Sequence, residues 1–287
     1  MGGRNKKFLV MYDNIRSYAK INLALNITGK KFTLHKIESI VAFVYLYDEI
    51  LIKKINSDNH NISFKGKFSK NIGKKNTVSK LLQILEKKNL LNNKKFQIQI
   101  KKNIPNKAGL GGGSMNAATI LNYFVKKKMI KVSKKEQIEI SKLVGSDVIL
   151  GLKFKSSILN SKDKIKYFSN YKKIFTLIVK PNFGCSTKQI YSKIKTFDKP
   201  KFNKPNKKMF DLNFLKKMNN SLEPIALSKH KKLKTIKIFL ENLLDTVFVR
   251  MTGSGSALVA YFHSKVRCDN AKKLFNKRFK NYWCISS

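Results

Sequence analysis

Four glycines fall within five consecutive positions, as Gly109, Gly111, Gly112 and Gly113, and they limit the possible folds more than any other feature of this sequence. Glycine loses more backbone entropy on folding than any other residue. So dense a cluster is expected only where the chain must turn sharply or let something approach its backbone. Upstream, residues 96–100 (FQIQI) alternate apolar and polar side chains, as a half-buried strand does. Pro105 interrupts that pattern, and residues 116–128 read as a helix. A strand that runs through glycines into a helix N-terminus offers an anion bare N–H groups and the positive end of a dipole. Ser114 stands where its hydroxyl can cap that helix or reach a phosphate or its metal. A glycine-rich turn with no ligand is the plainer alternative, but it leaves the entropic cost unexplained. The spacing excludes a Walker A loop, which ends in Gly-Lys-Ser/Thr, and also the GxGxxG dinucleotide fingerprint.

The rest of the chain mixes strands and helices in both halves. Residues 21–27 and 37–47 read as strands on either side of a turn-rich TGKKFTLHK, and 50–55 and 62–68 as shorter strands. Val78, Leu81, Leu82 and Leu85 make a helical stripe within 77–87, and 136–144 is a second amphipathic helix. The pattern restarts beyond about residue 160. Strands are expected at 174–179, 248–251 and 257–262, with helices at 233–244 and 269–279. The Pro-, Asn- and Lys-rich 199–208 reads as a flexible loop. Two α+β domains follow, with their boundary in 152–170.

Charge is the loudest property and the least specific. Among 287 residues, 61 Lys+Arg against 16 Asp+Glu give a formal net charge of +45, which suggests a polyanion binder. Yet only Arg4, Arg16, Arg250, Arg267 and Arg278 are arginines, and Arg is the side chain suited to bidentate reading of phosphates and bases. Lys, Asn, Ile and Phe rise together along the whole length, as A/T-rich codon usage would produce. No specific nucleic-acid partner is therefore expected. Cys185, Cys268 and Cys284 are far apart, with no CxxC spacing, so neither a disulfide framework nor a zinc site follows. The longest apolar run, SIVAFVYLY, is about half a membrane span, and no signal-peptide h-region or myristoylation pattern opens the chain. A cytoplasmic protein without membrane partners is the expectation.

The segment PNKAGLGGGSMNAAT (105–119) closely resembles the phosphate-binding loop of the GHMP kinase superfamily. Its triple glycine resembles the branch that acts on a cytidine-diphosphate-linked methylerythritol; homoserine- and mevalonate-type kinases generally carry GLGSS instead. YAKINL (18–23), VGSDV (144–148) and TGSGS (252–256) resemble further motifs of that branch in the same order, so the resemblance spans about 17–285. It implies a two-domain α+β fold: after a tail at 1–10, an N-terminal ATP-binding domain (11–160) and a ferredoxin-like C-terminal domain (161–287). It implies transfer of the ATP γ-phosphate, with Mg²⁺, to the 2-hydroxyl of the methylerythritol unit in isoprenoid precursor synthesis, by a monomer or homodimer.

Residue by residue, the resemblance places ATP on Pro105, Gly109, Leu110, Gly111, Gly112, Gly113, Ser114 and Asn116, with Ser114 also the candidate metal ligand. Asp147 matches the catalytic Asp, as general base or hydroxyl orienter. Lys20 matches the N-terminal Lys, pairing with Asp147 and stabilising charge at the acceptor oxygen. Asn22, two residues on, is a candidate for the substrate. His35 and Tyr191 are candidates for the cytosine, although Leu34 stands where the family has an aromatic. Tyr18 replaces the family's Pro and Met115 its usual Ser, and Met11 is an alternative start. A homoserine- or mevalonate-type kinase and, more distantly, a basic nucleic-acid-binding protein are the competing readings.

Overall fold

The structure, a computed structural model, describes residues 12–32, 34–169 and 174–287. The expected tail at 1–10, the alternative start at Met11 and the side chain of Leu34 lie outside the described residues. The chain forms two compact units that interleave along the sequence. One comprises 12–17, Tyr47–Ile104 and Gly113–Leu152, and the other Tyr18–Leu46, Pro105–Gly112 and Lys153–Ser287. Among the described residues no helix is long and apolar enough to cross a membrane.

Two long strands open the fold, β1 (Asp13–Lys31) and β2 (Leu34–Ile55), and they pair with each other. The sequence suggested two strands, at 37–47 and 50–55, parted at Asp48-Glu49; the structure has one. The acidic pair is tolerated inside the strand because each carboxylate meets a lysine. Asp48 is buried against Lys102, and Glu49 lies opposite Lys101 in the register, with its carboxylate 2.9 Å from the ammonium.

In the first unit, the second half of β2 pairs antiparallel with β4 (Lys95–Lys101), and β3 (Asn61–Lys65) joins β4 in parallel. Three helices accompany these strands: α1 (Thr77–Lys87), α2 (Gly112–Lys126) and α3 (Lys134–Val144). Asn76 and Ser133 close capping boxes on α1 and α3, which fixes where those helices begin. Nine residues of α2 are buried, from Met115 to Phe124, so its apolar surface extends almost all round. It forms the core with Leu81, Leu85, Phe96, Ile98 and Ile140. Helix α2 begins at Gly112, so Ser114 lies within its first turn and not at the cap.

In the second unit, the first half of β2 pairs with β5 (Ser157–Leu159), and β5 with β6 (Ile165–Tyr167). A separate antiparallel sheet runs β10 (Trp283–Ser286), β7 (Phe175–Lys180), β9 (Leu258–Phe262), β8 (Phe248–Met251). Numbered along the chain, that order is 4-1-3-2, the split βαβ arrangement of ferredoxin-like folds. Between β7 and β8 lie α4 (Thr187–Tyr191), α5 (Leu212–Lys216), α6 (Glu223–Lys229) and α7 (Lys231–Glu241); α8 (Lys265–Arg278) precedes β10. Every residue of β9 is buried, as befits an inner strand. The 199–208 segment, expected to be flexible, is anchored. Buried Glu38 accepts the Lys201 and Phe202 N–H groups at 2.6 and 3.0 Å, and Phe202 is fully buried.

Candidate active site

Lys20 and Asn22, two residues apart on β1, share one face of the strand. Lys20 is only 2% exposed, an environment lysine occupies only with partners. Its ammonium donates to Asn22 Oδ1 at 2.6 Å, and its backbone N–H donates to Leu110 O at 3.1 Å. Asn22 gives Nδ2 to Ser39 Oγ at 2.8 Å and its backbone N–H to Thr252 Oγ1 at 2.9 Å. Expected on the substrate, Asn22 has both ends of its carboxamide engaged within the protein and orients Lys20.

The glycine loop folds directly onto this lysine. Gly111 has φ +70°, and a Cβ there would come within 2.9 Å of Lys20 Cγ. Gly109 has φ +74°, and its added Cβ would fall 1.9 Å from Thr252 O. Both positions need glycine, for the left-handed backbone and for the closeness of approach. The TGSGS motif is what approaches. Ser256 and Ala257 donate their N–H groups to Lys107 O and Ala108 O, each at 3.2 Å, and Thr252 Oγ1 lies 3.2 Å from Gly109 O. The structure thus joins YAKINL, TGSGS and the first part of the glycine motif, Pro105–Gly112, within one unit.

The loop then enters α2, whose first-turn N–H groups have no intrahelical acceptors. Ser114 is half-buried in that turn. Thr77, opening α1, donates its hydroxyl to Gly113 O at 2.8 Å and so steadies the entry. Asn116, expected to touch the nucleotide, is 1% exposed and gives its amide to Asp48 Oδ2 at 3.0 Å. Asp147 follows α3 in the Gly145-Ser146-Asp147 turn and opens a 3₁₀ turn, Val148–Leu152, with its carbonyl accepting Leu150 N–H at 3.2 Å. Gly151 lets that turn press on α2, since a Cβ there would lie 2.7 Å from Ala118 Cβ. Asn122 reinforces the contact by donating to Gly151 O and Leu152 O at 3.2 Å. Asp147 is therefore fixed relative to the helix that carries Ser114.

His35 and Tyr191 come together, with ring centroids 5.2 Å apart and planes inclined at 49°. Burial, helped by the Lys30 charge, holds the His35 imidazole below the usual histidine range, so it is neutral at pH 7. Ser186 caps α4, the helix that ends in Tyr191, and Thr187 Oγ1 lies 2.9 Å from Ser254 Oγ. The aromatic pair is thereby tied to the TGSGS turn.

The model of the GHMP kinases N terminal domain matches residues 76–153. A Pelagibacter ubique protein, 4-diphosphocytidyl-2-C-methyl-D-erythritol kinase, is 56% identical over 273 residues, covering 95% of this chain and 97% of that relative. This chain belongs to the 4-diphosphocytidyl-2-C-methyl-D-erythritol kinase family. A Clostridium perfringens kinase of the same name is 32% identical over 93% of this chain and 94% of its own length. In fold, the chain is similar to a crystal structure of 4-(cytidine 5'-diphospho)-2C-methyl-D-erythritol kinase, with a TM-score of 0.74 at 20% identity, covering 96% of this chain and 98% of that one. Homoserine kinase from Cytophaga hutchinsonii gives 0.68 at 15% identity, covering 99% of this chain and 96% of that one.

Several residues at the site of this family member were not legible in the sequence. Thr252 was visible only as part of a motif, and its hydroxyl proves to link Asn22 to Gly109. Asn220 donates Nδ2 to Met251 O and Gly253 O at 2.7 and 2.8 Å, fixing both ends of the turn that holds the glycine loop. Asp48 and Lys102 carried no local signal at all: an acid in an apolar run and one lysine among 56.

Proposed function

We propose that this chain transfers the γ-phosphate of ATP to the 2-hydroxyl of 4-diphosphocytidyl-2-C-methyl-D-erythritol, giving the 2-phosphate and ADP on the methylerythritol route to isoprenoid precursors. One observation carries the reading: a buried Lys20, held by Leu110 and Asn22 beneath a glycine loop that opens a helix. The identity to relatives of that name supports the choice of substrate.

Phosphoryl transfer needs an in-line hydroxyl, a group to receive its proton, and positive charge on the moving phosphoryl. The N–H groups from Gly109 to Ser114 cradle the ATP phosphates, with Pro105, Leu110 and Asn116 framing the loop from within. Asp147 receives or orients the hydroxyl proton. Lys20 stabilises charge at the acceptor oxygen. His35 and Tyr191 hold the cytosine by stacking and by the neutral imidazole edge. The Ser114 hydroxyl would join the ligands of a Mg²⁺ ion, which would offset the charge of the ATP phosphates. Mg²⁺ prefers hard oxygen ligands, and the ATP phosphates would supply the others. We place the enzyme in the cytoplasm, acting on small anionic substrates as a monomer or homodimer.

Incubation with ATP, Mg²⁺ and the cytidyl substrate, followed by ADP release and mass spectrometry of the product, tests this. Turnover of homoserine or mevalonate in its place would overturn it. Asp147→Asn is expected to leave nucleotide binding almost intact and to cut turnover by roughly 10²–10⁴-fold; unchanged turnover removes Asp147 from the chemistry.

A further inference from the structure

We propose that Asp48 is the positioning residue that sets the geometry of the nucleotide loop, because one buried carboxylate holds the chain on both sides of the glycines. The proposal rests on the kinase reading above only in taking the loop as the nucleotide site.

Asp48 is 0% exposed, and its polar neighbours Lys102 and Asn116 are 2% and 1% exposed. A carboxylate offers about four lone-pair directions, and here each has a donor. Oδ1 accepts the backbone N–H groups of Asn103 and Ile104, both at 2.8 Å. Oδ2 accepts Asn116 Nδ2 at 3.0 Å and the Lys102 ammonium. Asn103 and Ile104 are the last residues before Pro105, and Asn116 lies just beyond the glycines in α2. The loop at 105–115 is therefore clamped at both ends by one side chain.

Stability alone does not account for this arrangement. Asp is disfavoured in strands, and a buried ion pair is often matched or bettered by apolar residues of similar size. Lys102 is itself fixed, its N–H donating to Lys65 O at 2.7 Å and its carbonyl accepting Phe68 N–H at 3.3 Å. The ammonium thus approaches Asp48 from a rigid base, and the carboxylate passes that rigidity to both flanks. Groups held in place before a ligand arrives bind charge without reorganising. Apolar packing cannot specify the placement of two N–H groups and an amide in this way, since it is non-directional.

Two variants of the full-length enzyme test the proposal. Asn116→Leu removes only the link to α2 and leaves the ion pair intact. Asp48→Asn combined with Lys102→Met removes both charges, so no buried charge is left alone. Calorimetry would give the Kd of a non-hydrolysable ATP analogue and, separately, of CDP, alongside the thermal midpoint. In each folded variant the analogue Kd is expected to rise about tenfold or more, roughly the loss of one charge-assisted hydrogen bond's worth of ordering. The CDP Kd is expected to stay within about twofold, because the bonds removed join Asp48 to Asn116 and Lys102, whereas His35 and Tyr191 pack on each other. Analogue binding equal to wild type in a folded variant overturns the proposal, and so does a parallel loss of both ligands, which marks general loosening. Should the double variant not fold, Asn116→Leu decides alone. A wild-type enzyme that binds the analogue but neither turns over the cytidyl substrate nor binds CDP fails the kinase reading only; the thermal midpoint then replaces CDP as the reference.

Discussion

Replacing Gly109 with alanine puts the loop's central constraint to a quantitative test. At φ +74° an L-residue pays about 1–2 kcal/mol for the left-handed backbone. The added Cβ would also lie 1.9 Å from Thr252 O and 2.8 Å from Thr252 C, both backbone atoms, so no side-chain rotation relieves the overlap. The loop and the TGSGS turn must part, which loosens the Thr252 Oγ1 to Gly109 O contact and the Ala257 N–H to Ala108 O bond. At about 0.5–1.5 kcal/mol each, these bring the total to roughly 2–5 kcal/mol. That sum divides between folding stability and nucleotide binding; the share falling on binding lowers kcat/KM about tenfold per 1.4 kcal/mol. Gly73→Ala is the control, since an added Cβ there meets nothing within 4 Å and its φ is not left-handed. It should stay within about 0.5 kcal/mol of wild type. Urea denaturation and ATP-dependent kcat/KM, measured on both variants, complete the comparison. If Gly109→Ala matches Gly73→Ala in both measurements, the close approach of Thr252 to the loop is not what requires glycine.

Two further outcomes follow from buried polar groups. Asn220→Asp keeps the oxygen that accepts Leu222 N–H at 3.0 Å but turns an acceptor toward Met251 O and Gly253 O. A loss of about 2–4 kcal/mol is expected in chemical denaturation at neutral pH, shrinking in acid as the new carboxyl gains a proton to donate; a loss that does not shrink in acid would count against the bonds to these carbonyls. Burial holds His35, His60 and His230 below the usual histidine range. As pH falls through about 6.5, the unfolded chain therefore binds more protons than the folded one, and this share of stability is lost on acidification. Replacing all three by Gln should flatten the stability–pH slope between that value and the lowered native ones; an unchanged slope would place the acid sensitivity elsewhere.

Legibility along the chain followed the range of the forces involved. The α1 stripe of Val78, Leu81, Leu82 and Leu85 was readable because helical periodicity is local, and the structure buries all four on one face. The strands expected at 37–47 and 50–55 proved to be one, since Asp48 and Glu49 between them are matched by Lys102 and Lys101 from a distant part of the chain. Short elements such as β5, β6 and β10 gave no pattern of their own, because three or four residues show no periodicity. The 199–208 segment reads as flexible by composition, yet buried Glu38 pins it from a strand more than 160 positions away.

The same division runs through the site. Sequence alone marked a glycine loop at a strand-to-helix passage and the lysine and aspartate in the accompanying motifs, and it raised the expectation that the loop binds an anion. Glycine spacing and helix onset are properties of neighbouring residues, so they survive in one dimension. Only the tertiary structure decided why those glycines are required and what holds the loop open. Thr252 arrives from 143 positions beyond Gly109, and Asp48 from 68 positions before Asn116. Their hydrogen bonds depend on ångström-scale placement and on exclusion of water, and neither is encoded in the residues beside them.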